Sequence, residues 1–376
     1  MTKPRICLTI DWYLPGTHSG GPVRSVANLV AAMPDVDFYV ITRNTDYCNS
    51  KPYVGIQPNV WIQIVPNVRV CYLDVSQISK QKIQDLILES GAQTLYISGI
   101  YSRAFSQWPV SIGKALKLKT VVAARGMLSP HALAVKPLKK YLFLSLMRWL
   151  NAYGHVQFHA TSAQEAADIR KVLGAATNVQ VLPNLGRNEE TNPRPIAKAP
   201  QSLKLVTIGR IAPEKGTLVG LKALQDVEGK VTLDLFGMAY NATYWQECQQ
   251  VIAGLPSNIQ VSYHGPCPSE EVAEKIAAAH ALLLPSEGEN YGHAIVESLA
   301  QGRPVLISKH TPWQHLATHQ AGWDISATGL PSAIQSLIDM DQQTYQSWSE
   351  GAKAFHLKTI GDTRTEVIAL YKQLLS

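Results

Sequence analysis

The 376-residue chain shows no internal repeat, no low-complexity tract and no apolar run long enough to cross a membrane. A helical span needs about 20 apolar residues; residues 141–150 are apolar but short, and they include Arg148. A signal-peptide h-region is missing too, because the apolar residues 6–10 are only a strand's length and Asp11 stops them. Cysteine is scarce. Cys7, Cys48, Cys71, Cys248 and Cys267 form no close pair and no metal-ligand spacing, and their odd number argues against a disulfide framework. A cytoplasmic protein in a reducing compartment is therefore expected. Negative charge is also missing over a long stretch. Residues 90–164 hold no Asp or Glu but nine basic residues: Arg103, Lys114, Lys117, Lys119, Arg125, Lys136, Lys139, Lys140 and Arg148. Residues 1–185 carry 19 Lys and Arg against 9 Asp and Glu, while residues 186–376 carry 15 against 19. The first half should seek anionic partners. Its basic and aromatic residues follow helix and strand periodicity with no nucleic-acid-binding motif, which ranks nucleic acid last among them.

What is present suits two or three domains with sizeable cores, since 46% of the residues are hydrophobic. A first strand at residues 5–10 leads through a loop at 11–21, containing G-T-H-S-G-G-P, into a helix at about 22–33. Gly20 and Gly21 let a backbone approach a bound group, and Arg24 stands one turn into the helix. The loop is not G-x-G-x-x-G, so a dinucleotide site is disfavoured. Strand patterns recur at 37–42, 68–73, 94–97, 120–124 and 156–160, with helical patterns at 77–89 and 163–172 between them. Such alternation predicts a doubly wound parallel sheet with ligands at the strands' carboxyl ends, on the loops after Ile10, Ile97 and Ala124. Residues 179–182 close this half. A polar, proline-rich run makes 186–202 the expected linker. Strands are then predicted at 203–208, 231–236, 259–263, 281–284, 305–308 and 322–325, with helices at 293–301, 331–340, 342–355 and 362–375. The expected division is 1–185, linker 186–202, 203–360, and a tail helix at 361–376.

Two motifs carry chemistry. Residues 282–305 read L-L-L-P-S-E-G-E-N-Y-G-H-A-I-V-E-S-L-A-Q-G-R-P-V, placing Glu289 and Glu297 eight residues apart across a loop-to-helix turn. Gly292 permits a tight turn there, and the helix N-terminus supplies free N–H groups suited to a diphosphate. After strand 203–208 comes G-R-I-A-P-E-K-G-T, with Arg210 and Lys215. Together these stretches resemble the E-x7-E and G-R-x-x-x-E-K-G segments of the retaining glycosyltransferases with the GT-B fold, the "group 1" family (family 4). The resemblance implies two facing Rossmann-like domains with a cleft between them. It implies sugar transfer from a nucleoside diphosphate sugar to a hydroxyl of a glycan acceptor, with no metal and no cofactor. Glu289 would lie against the transferred sugar and Glu297 on the ribose; the N–H groups of Asn290, Tyr291, Gly292 and His293 would lie near the sugar and phosphates. Arg210 and Lys215 would grip the diphosphate. The segments at Gly237 and His264 would reach the nucleotide, and Gly20 and Gly21 would face the donor. Where many relatives have His-Gly, this chain has Arg125-Gly126, which suggests a charge partner for a phosphate or acidic group; His131 stands nearby. Glu289, Arg210, Lys215 and Arg125 are the catalytic candidates. Asp339 and Asp341 are expected to cap a helix and not to bind metal. The tail helix would return to the first domain.

Residues 136–151 (K-P-L-K-K-Y-L-F-L-S-L-M-R-W-L-N) predict a basic amphipathic helix from Pro137, and two readings stay open. It docks on an anionic membrane surface, or it packs on the sheet with its Leu and Met residues in the core. The first reading, joined to the resemblance, implies a protein peripheral to the inner face of the membrane. Its acceptor would be a lipid-linked glycan of a cell-surface polysaccharide (lipopolysaccharide, capsule or exopolysaccharide). The alternative is a non-catalytic sugar-nucleotide or glycan-binding protein of the same fold. A glycan phosphorylase is disfavoured, because no lysine lies in a motif suited to pyridoxal phosphate.

Overall fold

A computed structural model describes residues 3–187 and 194–376, so residues 188–193 of the expected linker lie outside the described residues. The chain forms two compact units: one runs to Leu185 and includes Thr365–Ser376, and the other is Gly186–Arg364. Among the described residues no helix is long and apolar enough to cross a membrane.

The first unit is built on eight strands: β1 (Arg5–Thr9), β2 (Asp37–Arg43), β3 (Trp61–Val65), β4 (Val68–Leu73), β5 (Thr94–Ser98), β6 (Lys119–Ala123), β7 (Val156–Ala160) and β8 (Val179–Val181). Their order is β3-β4-β2-β1-β5-β6-β7-β8. Apart from Arg5 and Lys119 at their starts, the central strands are buried and mostly apolar, as a sheet covered on both faces requires. All neighbours pair parallel except β3, which pairs antiparallel with β4. It was not foreseen because it is an exposed edge strand, with Ile64 and Val65 nearly half exposed. The chain winds outward from β1 through β2, then returns to start β5 on the other side, so the strand order reverses between β1 and β5.

One sheet face is covered by helix Gly21–Ala31 and by the tail helix Arg364–Leu375, whose Val367, Tyr371 and Leu374 are buried in the same cluster as Leu8 and Leu29. The Tyr371 hydroxyl lies 3.1 Å from the Pro183 carbonyl oxygen and donates to it. Helices Lys80–Ser90, Trp108–Ala115 and Ala163–Leu173 lie on the other face. Helix Pro137–Trp149 starts at the predicted proline, yet it is not a core helix. Only Leu144 is buried in it, while Leu138 and Trp149 are 71% and 81% exposed and Tyr141, Leu142 and Leu146 are exposed too. The core reading of residues 136–151 is corrected accordingly.

The second unit carries six parallel strands: β9 (Ser202–Ile208), β10 (Lys230–Phe236), β11 (Ile259–Gly265), β12 (Ala281–Leu284), β13 (Val305–Ser308) and β14 (Gly322–Ile325), in the order β11-β10-β9-β12-β13-β14. Here the order reverses between β9 and β12. β11 runs two residues further than predicted, so His264 and Gly265 are strand residues and not a loop. Asp341 caps helix Gln342–His356 by accepting from the Thr344 N–H at 2.8 Å. In the expected linker, Lys198 is buried: its ammonium donates to the carbonyls of Ala199, Ile338 and Met340 at 2.8–3.1 Å.

Candidate functional site

In open α/β sheets ligands bind where the strand order reverses, outside the carboxyl ends of the strands. In the second unit that position is flanked by the loops after β9 and β12, the two motifs singled out in the sequence. Three contacts stitch them together. Gly216 has φ +69°, and a Cβ there would stand 2.0 Å from the Pro285 carbonyl oxygen, so only glycine allows the approach. The Glu287 N–H donates to the Glu214 carbonyl at 3.0 Å. Lys215 Nζ lies 2.6 Å from Glu289 Oε1, which also accepts from the Ser286 hydroxyl at 2.8 Å. The Glu289 side chain is 9% exposed and that of Lys215 21%, so this ion pair is largely shielded from water. Gly237 joins the same edge: a Cβ there would lie 1.8 Å from the Gly209 carbonyl oxygen, and its N–H donates to the Gly265 carbonyl at 2.7 Å.

Arg210 stays nearer the surface, 3.1 Å from Glu214 one turn on, a pair exposed enough to contribute little to stability. The turn between Glu289 and Glu297 is made by Gly292, at φ +77°, which caps helix His293–Ala300. A Cβ on it would meet Ile295 at 2.8 Å. Glu297 is half-buried on that helix. Tyr291 anchors the loop. Its ring lies edge-on to His293 and Trp313, and the Trp313 indole N–H donates to its carbonyl at 2.5 Å. Burial pushes its phenol well up from the ordinary tyrosine range. His264 stacks on Phe236 at 4.6 Å, with Nε2 2.7 Å from Asp234. Sequence reasoning missed Ser286, which faces Glu289; its place in P-S-E-G-E between strand and acid was the available signal.

The remaining candidates lie on the first unit. Gly20, at φ +75°, caps helix Gly21–Ala31. The loop before it is clasped by Asp46, which accepts from the N–H groups of Thr17 and His18 at 3.0 and 3.2 Å. The loops after β1 and β5 meet at Asp11, which accepts from Ser102 Oγ at 2.9 Å and pairs with Arg43. Desolvation raises the Asp11 carboxyl pKa, opposed by Arg43 and Ser102. Neither acid was singled out in the sequence, although Asp11 ends the first apolar run. Arg125 sits in a left-handed turn after β6, and its guanidinium donates to Asn184 Oδ1 at 2.6 Å and to the Tyr96 hydroxyl at 3.0 Å. His131 is exposed on the short helix that follows.

Residues 188–355, nearly the whole second unit, match the family model described as "Glycosyl transferases group 1". The C-terminal unit is a group 1 glycosyltransferase domain. A sequence relative is sulfoquinovosyl transferase SQD2 of Arabidopsis thaliana, 24% identical over 123 residues, which is 33% of this chain and only 22% of that protein. The chain therefore spans well under two thirds of that relative. Two solved structures match the group 1 domain together with the first unit. They are sucrose-phosphate synthase (tll1590) of Thermosynechococcus elongatus, with TM-score 0.72 and 17% identity, and WaaG, a glycosyltransferase involved in lipopolysaccharide biosynthesis, with TM-score 0.68 and 15% identity. Each match covers 99% of both chains. Together with the two Rossmann-like sheets, these likenesses give the chain the GT-B fold.

Proposed function

We propose that the protein is a retaining glycosyltransferase that takes its sugar from a nucleoside diphosphate sugar bound at the edge where β9 and β12 end. The observation carrying this reading is the Lys215–Glu289–Ser286 cluster at the reversal point of a group 1 domain. The bond from sugar C1 to the diphosphate oxygen breaks, and its electron pair stays on the diphosphate. The acceptor oxygen bonds to C1 from the same face, and its proton passes to the departing phosphate oxygen. Lys215 and Arg210 neutralise the charge growing on that leaving group, the kind of fixed electrostatic support that matters most in a water-poor site. Lysine has three N–H donors. Glu289 takes one, so the ammonium can serve carboxylate and diphosphate together. Glu289 orients the sugar and stabilises positive charge at C1, and Glu297 takes the ribose. A thermal-shift screen of nucleotide sugars tests donor binding, because a ligand of the folded form raises the melting temperature. Anomeric configuration of the product, read by NMR, tests retention.

The acceptor is a lipid-linked glycan of a cell-surface polysaccharide, presented at an anionic membrane. Helix Pro137–Trp149 supports this: its exposed apolar residues stand beside exposed Lys136, Lys139 and Arg148. Lys140 contributes less, because its ammonium donates to the Ala132 carbonyl and lies 5.3 Å from the Tyr101 ring. Basic residues near an anionic leaflet contribute about 1 kcal/mol each, and the apolar face adds burial in the interface. Co-sedimentation with anionic vesicles at low salt, and release at high salt, is the expected result; a chain that stays in solution refutes membrane docking.

A further inference from the structure

The first unit holds a cation that its own structure does not neutralise. Arg125 is half-buried, and its two hydrogen bonds go to neutral oxygens, those of Asn184 and Tyr96. Among the described residues no carboxylate lies within ion-pair distance. Glu165 reaches the next residue of the loop, but its oxygens accept from the Gly126 N–H at 2.6 Å and from the Thr161 N–H and hydroxyl, both at 2.7 Å. The Arg125 Nε–H is buried with no acceptor. A buried charge-bearing donor left unmatched is unfavourable unless something outside the chain completes it.

The groups around Arg125 fix the direction of every donor. The Tyr96 hydroxyl accepts from Arg125, so its own hydrogen goes to His159 Nδ1 at 2.8 Å. His159 Nε2 then donates to the Leu182 carbonyl at 2.9 Å. Burial holds His159 neutral, with its pKa down at about 3, so it adds no positive charge and offers no acceptor to the guanidinium. Asn184 presents its carbonyl oxygen to Arg125, which turns its amide N–H groups away, and no described residue accepts from them. The result is a donor-only pair at the carboxyl end of β6: a guanidinium fork with unused N–H groups beside an amide NH2. Such a pair suits a planar or tetrahedral oxyanion.

We propose that Arg125 and Asn184 form a site for an acidic group of the acceptor, a phosphate or a carboxylate. The assignment to the acceptor rests on the glycosyl-transfer reading, in which Lys215 and Arg210 on the other unit serve the donor diphosphate. Continuity of the chain supports it. The exposed helix Pro137–Trp149 follows this loop, tied back through Lys140 and Ala132, so a lipid-borne acid would arrive beside Arg125.

The test titrates the full chain with three probes by calorimetry: farnesyl phosphate for a lipid phosphate, methyl glucuronide for a sugar carboxylate and methyl glucoside as neutral control. Asn184→Asp is the decisive variant, because it supplies an internal counter-ion of the same shape. It should keep or raise the melting temperature while weakening the bound acidic probe at least tenfold. Arg125→Lys, which keeps charge but loses the fork, should also weaken it. Whichever acidic probe binds identifies the source, and the neutral glucoside should not bind. Unchanged affinity in Asn184→Asp, or no binding of either acid by the natural chain, overturns the proposal. Uridine, guanosine and adenosine diphosphates are titrated alongside. If none binds, the donor reading fails separately from the anion result.

Discussion

Both units reverse their strand order beside their first strand, yet they furnish that place differently. In the first unit the loops after β1 and β5 close on Asp11, sealed by Arg43 and Ser102. In the second, the loops after β9 and β12 bring Lys215 against Glu289, a pair somewhat better shielded from water than Arg43 and Asp11. The unmatched cation of the first unit lies one strand further out, at Arg125, and its exposed apolar surface follows on helix Pro137–Trp149. Topology thus sets where a site can form, and the pairing of charges decides what it can take. Arg43 commits its guanidinium to the Asp11 side chain and carbonyl and so holds the loops together, whereas Lys215 gives Glu289 only one of its three N–H donors and Arg125 has no acid of its own.

The sharpest way to break this contrast is Glu289→Gln. Turnover should fall by about 10²–10³, while affinity for the free nucleoside diphosphate changes little, because the carboxylate acts mainly in the transition state. Equal losses in both would make Glu289 a nucleotide ligand or a structural tie. Next in size is the first unit's surface. Changing Lys136, Lys139 and Arg148 to Gln removes about 3 kcal/mol of attraction to an anionic leaflet, roughly a hundredfold in vesicle partitioning. The same variant should bind nucleoside diphosphate normally; a loss there would show that the charges do not divide as argued.

A smaller effect concerns acid. Each unit buries a histidine held neutral, His159 with its pKa at about 3 and His280 with its pKa at about 4, both lowered chiefly by desolvation. The folded forms stay unprotonated while the unfolded chain takes up protons below its ordinary pKa near 6.5. Their contribution to stability is therefore complete above about pH 6.5 and lost as pH falls toward these values, with a slope of up to about 1.4 kcal/mol per pH unit for each. Urea denaturation of His159→Asn should show a slope between pH 6 and 4 shallower than that of the natural chain. Parallel slopes would mean that His159 is protonated in the fold. Smallest is Tyr371→Phe, which removes the bond to the Pro183 carbonyl and should lower stability by about 1 kcal/mol.

Much of this was legible in local sequence. Buried parallel strands leave short apolar runs, and the two loop motifs of the second unit name Lys215, Glu289 and the glycines that let the loops touch. What stayed hidden depends on neighbours far along the chain or on half-exposed surfaces. β3 is an edge strand whose apolar residues stay half exposed, so its apolar run does not mark a buried strand. Helix Trp108–Ala115 contains Gly113, a poor helix signal; a Cβ there would meet Thr120 Oγ1 at 2.3 Å, so the glycine serves packing against β6. The partners of Arg125 come from β5 and from the end of the unit, 29 and 59 residues away, and no spacing rule announces them. Helix Pro137–Trp149 was visible as a helix, but only the packing decided between core and surface.

On the glycosyl-transfer reading, the donor diphosphate is held on the second unit by Lys215. Calorimetric titration with uridine, guanosine and adenosine diphosphates, for the natural chain, Lys215→Ala and Asn184→Asp, tests it most directly. A lost charge-assisted bond is worth about 1.5–3 kcal/mol, so at least one diphosphate should bind the natural chain and lose tens of fold in Lys215→Ala, with no change in Asn184→Asp. The same affinity in Lys215→Ala as in the natural chain would contradict the account.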